Sequence, residues 1–108
     1  MPSVFDENNQ ACSVNTEHNL VAAASQHGTF VVGFDWNNAA AADVFEIRIY
    51  KATRPSGTER LHRMWTVRGP QALLTPDSPP FVNVATFTVS IKQVAGTGRT
   101  IPWCIVQL

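Results

Sequence analysis

Charged residues are scarce in this chain of 108 residues. They make up 15% of the sequence and give a formal net charge of zero, whereas an ordinary soluble domain has about 25% charged residues. Because a protein without net charge repels its own copies only weakly, it tends to associate. A nucleic-acid-binding protein needs a basic face, so nucleic acid is not expected as a partner. Two interpretations stay open, a neutral free domain or a domain whose surface is covered by partners.

The sequence also lacks long apolar runs and cysteine motifs. No stretch approaches the roughly 18 apolar residues that span a bilayer, and positions 1–10 hold two acidic residues and no basic residue, unlike a signal peptide. We expect no membrane partner and synthesis in the cytoplasm. Cys12 and Cys104 show no CxxC spacing, so zinc is not indicated. Free thiols are expected in a reducing compartment, and a disulfide joining the two ends of the chain is the alternative.

The chain instead contains a series of short segments in which apolar and polar residues alternate. Alternation with a period of two is typical of half-buried strands. Six segments show it, at 16–24, 29–37, 44–53, 60–68, 82–94 and 100–108. Arg63 and Pro102 interrupt two of them, which predicts edge positions or late strand starts. The inward positions predict a core of Phe34, Trp36, Phe45, Ile47, Ile49, Trp65, Phe87, Val89, Ile91 and Trp103.

The connections favour antiparallel neighbours. Residues 54–58 (RPSGT) and 95–99 (AGTGR) are typical of short turns, and residues 37–43 allow one helical turn at most. We predict an all-β protein with a single antiparallel β-sandwich over residues 12–108, jelly-roll or immunoglobulin-like, of about six to eight short strands. A closed barrel is the alternative. Residues 1–11 are polar and aperiodic, and we expect them to form an extended N-terminal arm.

No group of residues predicts catalysis, a metal or a cofactor. The three histidines lack the i, i+2 spacing of metal ligands on a strand, and the glycine-rich turn at 96–99 joins two strands, without the helix of a phosphate-binding loop. The tryptophans fall on inward strand faces, where core packing explains them better than ligand stacking. The carboxylates considered as general acids or bases are Asp35, Asp43, Glu46 and Glu59, and no motif places them in a cleft. We expect a protein that is not an enzyme.

The segment 89–103, VSIKQVAGTGRTIPW, resembles a C-terminal hairpin signature of small structural proteins of tailed-bacteriophage particles. In that signature a KQ pair leads into AGTGR and then into an apolar–Pro–Trp strand, and the upstream block FEIRIYKATRPSGT resembles the matching earlier strand and turn. The resemblance implies a virion protein on the capsid exterior that decorates or cements the shell, with the major capsid protein as its partner. A minor tail or neck protein, or a glycan-binding appendage, is the alternative. The matching residues are Lys92, Gln93, Gly96, Gly98, Arg99, Pro102 and Trp103.

Two segments are predicted to contact partners. The N-terminal arm carries apolar residues among polar ones, and the proline-rich loop at 69–80 is stiffened before docking, which lowers the entropy lost on binding. The predicted contact residues are Val4, Phe5, Leu73, Leu74, Pro76, Pro79 and Pro80. Together with the low charge, these segments predict a small homo-oligomer, a trimer by the same resemblance.

Overall fold

A computed structural model describes residues 3–69 and 80–108 of the chain. It contains eight strands and one short 3-10 turn, Trp36–Asn38. The strands are β1 Ser3–Ala11, β2 Glu17–Ala24, β3 Gly28–Phe34, β4 Val44–Lys51, β5 Arg60–Arg68, β6 Phe81–Asn83, β7 Phe87–Ala95 and β8 Thr100–Gln107. All pairs of neighbouring strands are antiparallel. The predicted all-β sandwich is therefore confirmed.

The eight strands form two four-stranded sheets. The first sheet has the order β1-β8-β3-β6 and the second β2-β7-β4-β5. In this order β1 pairs with β8, β2 with β7, β3 with β6 and β4 with β5. The chain is thus one long antiparallel ribbon, folded at the β4–β5 hairpin and rolled into two layers, which is the topology of a jelly roll. An immunoglobulin domain would place its first, second, fourth and fifth strands in one sheet.

The core lies between the two sheets and follows the predicted alternation. Nine of the ten predicted core residues are buried, and Trp65 is half-buried against the others. The ring of Phe30 packs 4.8 Å from that of Phe87, so the cluster links the two sheets. Trp36 does not continue β3 as expected. Asp35 accepts a hydrogen bond from the backbone N–H of Asn37 and begins the 3-10 turn, which still buries Trp36 against Phe45.

The segment expected to be an N-terminal arm is an integral strand. Residues 3–11 form β1, which pairs with β8 along its whole length. A bulge at Phe5 turns its ring into the core, 5.2 Å from Phe30 and 5.9 Å from Phe87. The backbone ladder holds the polar run that follows, although its side chains show no alternation. The described domain therefore begins within the segment that was predicted to lie outside it.

One predicted strand is two strands in the structure. The segment 82–94 is divided between β6 in the first sheet and β7 in the second. The division follows from Asn83, which is buried and donates from its side-chain amide to the carbonyls of Gln26 and Ala85. Its Oδ1 accepts from the N–H of Ala85, 3.3 Å away. An asparagine that bonds the backbone two residues on forms a turn, and the chain crosses between the sheets there.

Of the two positions predicted for Pro102, an edge or a strand start, the edge is wrong because β8 is a central strand. Pro102 is the third residue of β8, close to its start. Its carbonyl accepts from the N–H of Asp35, and in an antiparallel strand the N–H and carbonyl of one residue face the same neighbour. The missing N–H of Pro102 therefore faces the point where β3 has just ended at Phe34. β5, in contrast, is an edge strand, as Arg63 predicted.

Candidate functional site

The signature turn, residues 95–99, joins β7 in the second sheet to β8 in the first, so it is a crossing between the sheets and not the hairpin that the sequence predicted. A buried glutamine holds this turn. Gln93 is fully buried on β7. Its side-chain amide donates to the carbonyls of Ala95 and Thr97, at 3.1 and 2.6 Å, and its Oε1 accepts from the backbone N–H of Arg99 at 3.1 Å. One side chain thus satisfies three backbone groups of the turn, which explains why the KQ pair precedes AGTGR.

A buried carboxylate fixes the same turn from the other side. Asp43 is almost fully buried, and its Oδ2 lies 2.7 Å from Nε of Arg99 and 2.8 Å from the N–H of Ala40. Its Oδ1 accepts from the N–H of Thr97 at 3.1 Å. Burial raises the pKa of Asp43, but these donors and the charge of Arg99 outweigh it, so the pKa lies below its ordinary value. Because its oxygens already accept these hydrogen bonds, the carboxylate of Asp43 has a structural role.

The two glycines of the signature permit this packing. Gly96 has φ +92°, and a Cβ there would overlap the carboxylate of Asp43. A Cβ at Gly98 would lie 2.7 Å from the carbonyl oxygen of Cys12. Both positions therefore exclude a side chain. The signature therefore forms a hydrogen-bonded connection between the two sheets, and the polar side chains of Gln93 and Arg99 bond within the chain itself.

The other carboxylates considered for catalysis also make structural contacts. Asp35 caps the 3-10 turn, Glu46 forms an ion pair with Arg48 at 2.7 Å, and Glu59 accepts from the hydroxyl of Thr88 at 2.7 Å. Among residues 3–69 and 80–108, no three histidines, cysteines or carboxylates are grouped to hold a metal ion. That part of the chain also contains no helix long and apolar enough to cross a bilayer.

The two cysteines lie on different faces of the first sheet. Cys12 is buried, and burial raises the pKa of its thiol to about 11. Its backbone N–H donates to Arg99, so Cys104 lies five residues further along β8, about 16 Å away. Cys104 also alternates outward between buried Trp103 and Ile105. A disulfide needs Cα atoms within about 7 Å, so this fold keeps the two cysteines apart.

The predicted contact residues have different positions in the fold. Val4 is 57% exposed, whereas Phe5 packs in the core and is corrected here to a core residue. Pro80 is exposed next to the start of β6. The remaining four predicted contact residues, Leu73, Leu74, Pro76 and Pro79, lie outside the described residues.

Part of the outer face of the first sheet is apolar, and Glu7, in register with the outward Cys104, lies further along the same face. Val4, Val106 and Val31 are in direct register across β1, β8 and β3. Outward residues in register across a sheet have Cβ atoms about 5 Å apart, so the three valines form a continuous row. On the same face, Val82 of β6 is 49% exposed and Leu108, after β8, is 54% exposed. We call these five residues, Val4, Val31, Val82, Val106 and Leu108, the apolar face.

The outer face of the second sheet is polar and internally bonded across β2, β7 and β4, whereas its edge strand β5 exposes Leu61 and Met64. The carboxylate of Glu17 accepts from Ser90, Tyr50 and Arg48, at 2.5, 3.0 and 3.3 Å. The hydroxyl of Ser90 and then the other donors hold the pKa of Glu17 below its ordinary value, against some burial. This face is suited to water. The apolar face of the first sheet and the polar cluster of the second therefore differ in character.

Sequence reasoning found Val4 but missed the rest of the apolar face. The signal was present in two segments in which outward as well as inward positions hold apolar residues. Val31 follows the inward Phe30, and Val106 and Leu108 lie on either side of an inward position. A strand with one solvated face has polar residues in one of the two sets. Finding the row also requires the register, which the sequence does not contain.

No protein-family model, curated protein or solved structure matches this chain.

Proposed function

We propose that this protein is a structural component of a tailed-phage particle, without enzymatic activity, that decorates the capsid exterior and stabilises the shell. The apolar face is the surface that binds the major capsid protein. The observation that carries the proposal is the row Val4, Val106 and Val31, which is apolar and in register on the outside of a sheet. Contiguous exposed apolar surface marks an interaction site more often than an ordinary solvated face.

The physical properties of the apolar face suit binding to a repeating lattice. The free energy gained is roughly 25 cal/mol for each Å² of apolar surface removed from water, before the cost of association. A surface built mainly of five aliphatic side chains gives a weak single contact. Many copies on one shell, and contacts among them, raise the total strength by avidity.

Two further features support the class of protein. The jelly roll occurs in viral capsid proteins and also in lectins and enzymes, so it is compatible with the proposal but does not select it. The hairpin signature that resembles phage proteins has a structural explanation in Gln93, Asp43 and the two glycines. Its polar groups are used internally, which suits a protein that acts through its shape and surface.

The alternatives differ in partner. A minor tail or neck protein would use the same apolar face at a site with few copies. A glycan-binding appendage would require an exposed tryptophan beside polar loops, but Trp36 and Trp103 are buried and Trp65 is half-buried. The described surface therefore favours assembly over sugar recognition. Oligomerisation, as a trimer or another ring, belongs to the same proposal.

The test is binding of purified protein to capsids that lack it. Wild-type protein is mixed with such shells, unbound protein is removed by sedimentation, and copies per particle are counted by quantitative mass spectrometry. We expect hundreds of copies for wild type and a loss of at least about tenfold in affinity for Val4→Asp combined with Val82→Asp. A charge placed on an apolar contact must be desolvated without a partner.

The matched control is Ala22→Asp, an exposed position on β2 in the other sheet. It adds the same carboxylate away from the apolar face and should leave binding unchanged. All variants are first compared by circular dichroism and by urea unfolding. About a dozen copies per particle would favour the tail or neck alternative, and absence of wild-type binding to any part of the particle would refute the virion proposal.

A further inference from the structure

The zero net charge of the chain conceals a strong separation of charge along the sequence. All eight lysines and arginines occur from Arg48 onward, whereas six of the eight carboxylates occur before it. A jelly roll that brings the two halves of the chain together strand by strand intermixes most of these charges. At two edge strands, however, the separation remains.

These edge strands are β1 and β5. β1 carries Asp6 and Glu7 and no basic residue, while β5 carries Arg60, Arg63 and Arg68 and no carboxylate. β1 ends the order of the first sheet, and β5 ends the order of the second. Each has a neighbouring strand on one side only.

The two edges lie on opposite sides of the sandwich. Nζ of Lys51 on β4 donates to the carbonyl of Val82 on β6 at 2.8 Å, so the β6 side of the first sheet lies over the β4–β5 side of the second. β1 is joined to β2, the edge strand at the other end of the second sheet, by only the five residues 12–16, so β1 lies on that other side. The molecule therefore has an acidic edge and a basic edge that face away from each other.

Four of the edge charges, Asp6, Glu7, Arg60 and Arg63, form no ion pair among the described residues. The ion pairs there join Arg48 to Glu17 and Glu46, and Arg99 to Asp43. Asp6, Glu7, Arg60 and Arg63 are all exposed. Burial and then the positive charges of Lys51 and Arg63 lower the pKa of His62, as expected for a region of positive potential on β5.

We propose that the protein associates with copies of itself head to tail, with the acidic edge of one copy (Asp6 and Glu7 on β1) against the basic edge of the next (Arg60 and Arg63 on β5). A two-fold contact between two basic edges would bring like charges together. A head-to-tail contact uses two different surfaces of each copy, so it forms a ring where the rotation closes and an open chain where it does not.

The contact is made by side chains and not by a continuous sheet. On β1 the backbone N–H of Glu7 donates to Oδ1 of Asp6 at 2.9 Å, and that of Asn9 donates to Oδ1 of Asn8 at 2.8 Å. Because these N–H groups already form hydrogen bonds within β1, they are not available to pair with a strand of another copy. The association is therefore reversible and sensitive to salt.

This inference specifies the self-association within the proposed function. Val4 of the apolar face also lies on β1, but the proposed contact is made by other side chains, Asp6 and Glu7. Neighbours on a lattice can therefore touch through these charges while the apolar face stays on the shell. The test uses free protein without capsids. If the free protein does not self-associate but still binds capsids, only the head-to-tail contact is overturned. If it self-associates but does not bind capsids, only the decoration role is refuted.

The experiment is sedimentation velocity on wild type and on two variants that each neutralise one edge. The acidic-edge variant is Asp6→Asn with Glu7→Gln, and the basic-edge variant is Arg60→Gln with Arg63→Gln. We expect wild type to associate at 0.1 M salt and to dissociate at 1 M, where the screening length falls from about 10 Å to about 3 Å. Each variant alone should associate about tenfold more weakly.

Mixing the two variants separates this proposal from other modes of association. Each variant retains the one edge that the other lacks, so the mixture should form one-to-one dimers and nothing larger. Combining Asp6→Lys, Glu7→Lys, Arg60→Glu and Arg63→Glu in one chain reverses both edges and should restore association. Arg60→Lys with Arg63→Lys, which keeps the charge, is the matched control and should behave as wild type.

Three results would overturn the proposal. These are a monomeric wild type at low salt, single-edge variants that associate like wild type, and a mixture of the two that stays monomeric or grows beyond dimers. Circular dichroism and urea unfolding of each variant show whether it is folded, and all four edge positions are exposed. The charge-swapped chain also tests the contact if one single-edge variant fails to fold.

Discussion

Asp43 connects three separate parts of the chain. It accepts hydrogen bonds from Ala40, which precedes β4, and from Thr97 and Arg99 in the turn that crosses from β7 to β8. Removing one partner of a buried charged pair leaves the other without compensation. Because Arg99 is 34% exposed, water takes over part of its charge and the penalty is smaller than for a fully buried pair.

We predict that Asp43→Ala lowers the free energy of unfolding at pH 7 by about 2–4 kcal/mol. Urea unfolding followed by tryptophan fluorescence measures it. Asp6→Ala, an exposed position on β1, is the control and should cost less than about 0.5 kcal/mol. Equal losses in the two variants would contradict a structural role for the Asp43 carboxylate.

We also expect Asp43 to make the free energy of unfolding depend on pH. The pKa of Asp43 is lower in the folded protein than its ordinary value of 3.8, which the unfolded chain regains. Its stabilisation is therefore fully present above the ordinary value and is lost as the pH falls through the folded value. The free energy of unfolding of Asp43→Asn should decrease less than that of wild type between about pH 5 and pH 2. Glu17, whose pKa is also lowered, accounts for part of the remaining decrease.

At the scale of the element, prediction worked where side-chain burial determines the strand. The bounds of β5 agree with the predicted segment 60–68, and β4 begins at Val44 as its alternation indicated. β1 was missed because Asp6 to Gln10 have no apolar set, so only pairing with β8 makes them a strand. The split between β6 and β7 was missed because the hydrogen bonds of Asn83 depend on residues brought close by the fold.

The identification of β1 as a strand changes what truncation should do. Deletion of residues 1–10 removes the strand that covers one side of β8 and removes the ring of Phe5 from the core. We predict that Phe5→Ala lowers the free energy of unfolding by about 2–4 kcal/mol, somewhat less than for a fully buried phenylalanine. Val4→Ala, at an exposed neighbouring position, is the matched control and should be nearly neutral. Urea unfolding compares the two, and a neutral Phe5→Ala would restore the arm interpretation.

At the scale of the whole molecule, the sequence predicts two layers but not how they are connected. Alternation and turns indicate a sandwich, and jelly-roll and immunoglobulin topologies share both. The choice depends on which strands pair, and the pairs β1·β8, β2·β7 and β3·β6 are long-range contacts with no local signal. Only the β4·β5 hairpin has one, in the turn at 54–58. The candidate surface was equally hidden, because its row of valines exists only once β1, β8 and β3 are in register.

The unequal outer faces lead to a prediction about solubility that needs no partner. We expect Val82→Thr combined with Val106→Thr and Leu108→Thr to raise the ammonium sulfate concentration that precipitates the free protein. Since these side chains point away from the core, the free energy of unfolding should change by less than about 1 kcal/mol. The control is Leu61→Thr with Met64→Thr, two positions 51% and 52% exposed on β5. Leu61 and Met64 lie among the arginines of the basic edge, and the charge of these arginines already keeps that surface hydrated. Replacing the two residues should therefore raise the precipitating ammonium sulfate concentration less. If the β5 substitutions raised the precipitating salt concentration more, the surface through which copies associate would be β5. The apolar face would then no longer be supported as the capsid contact.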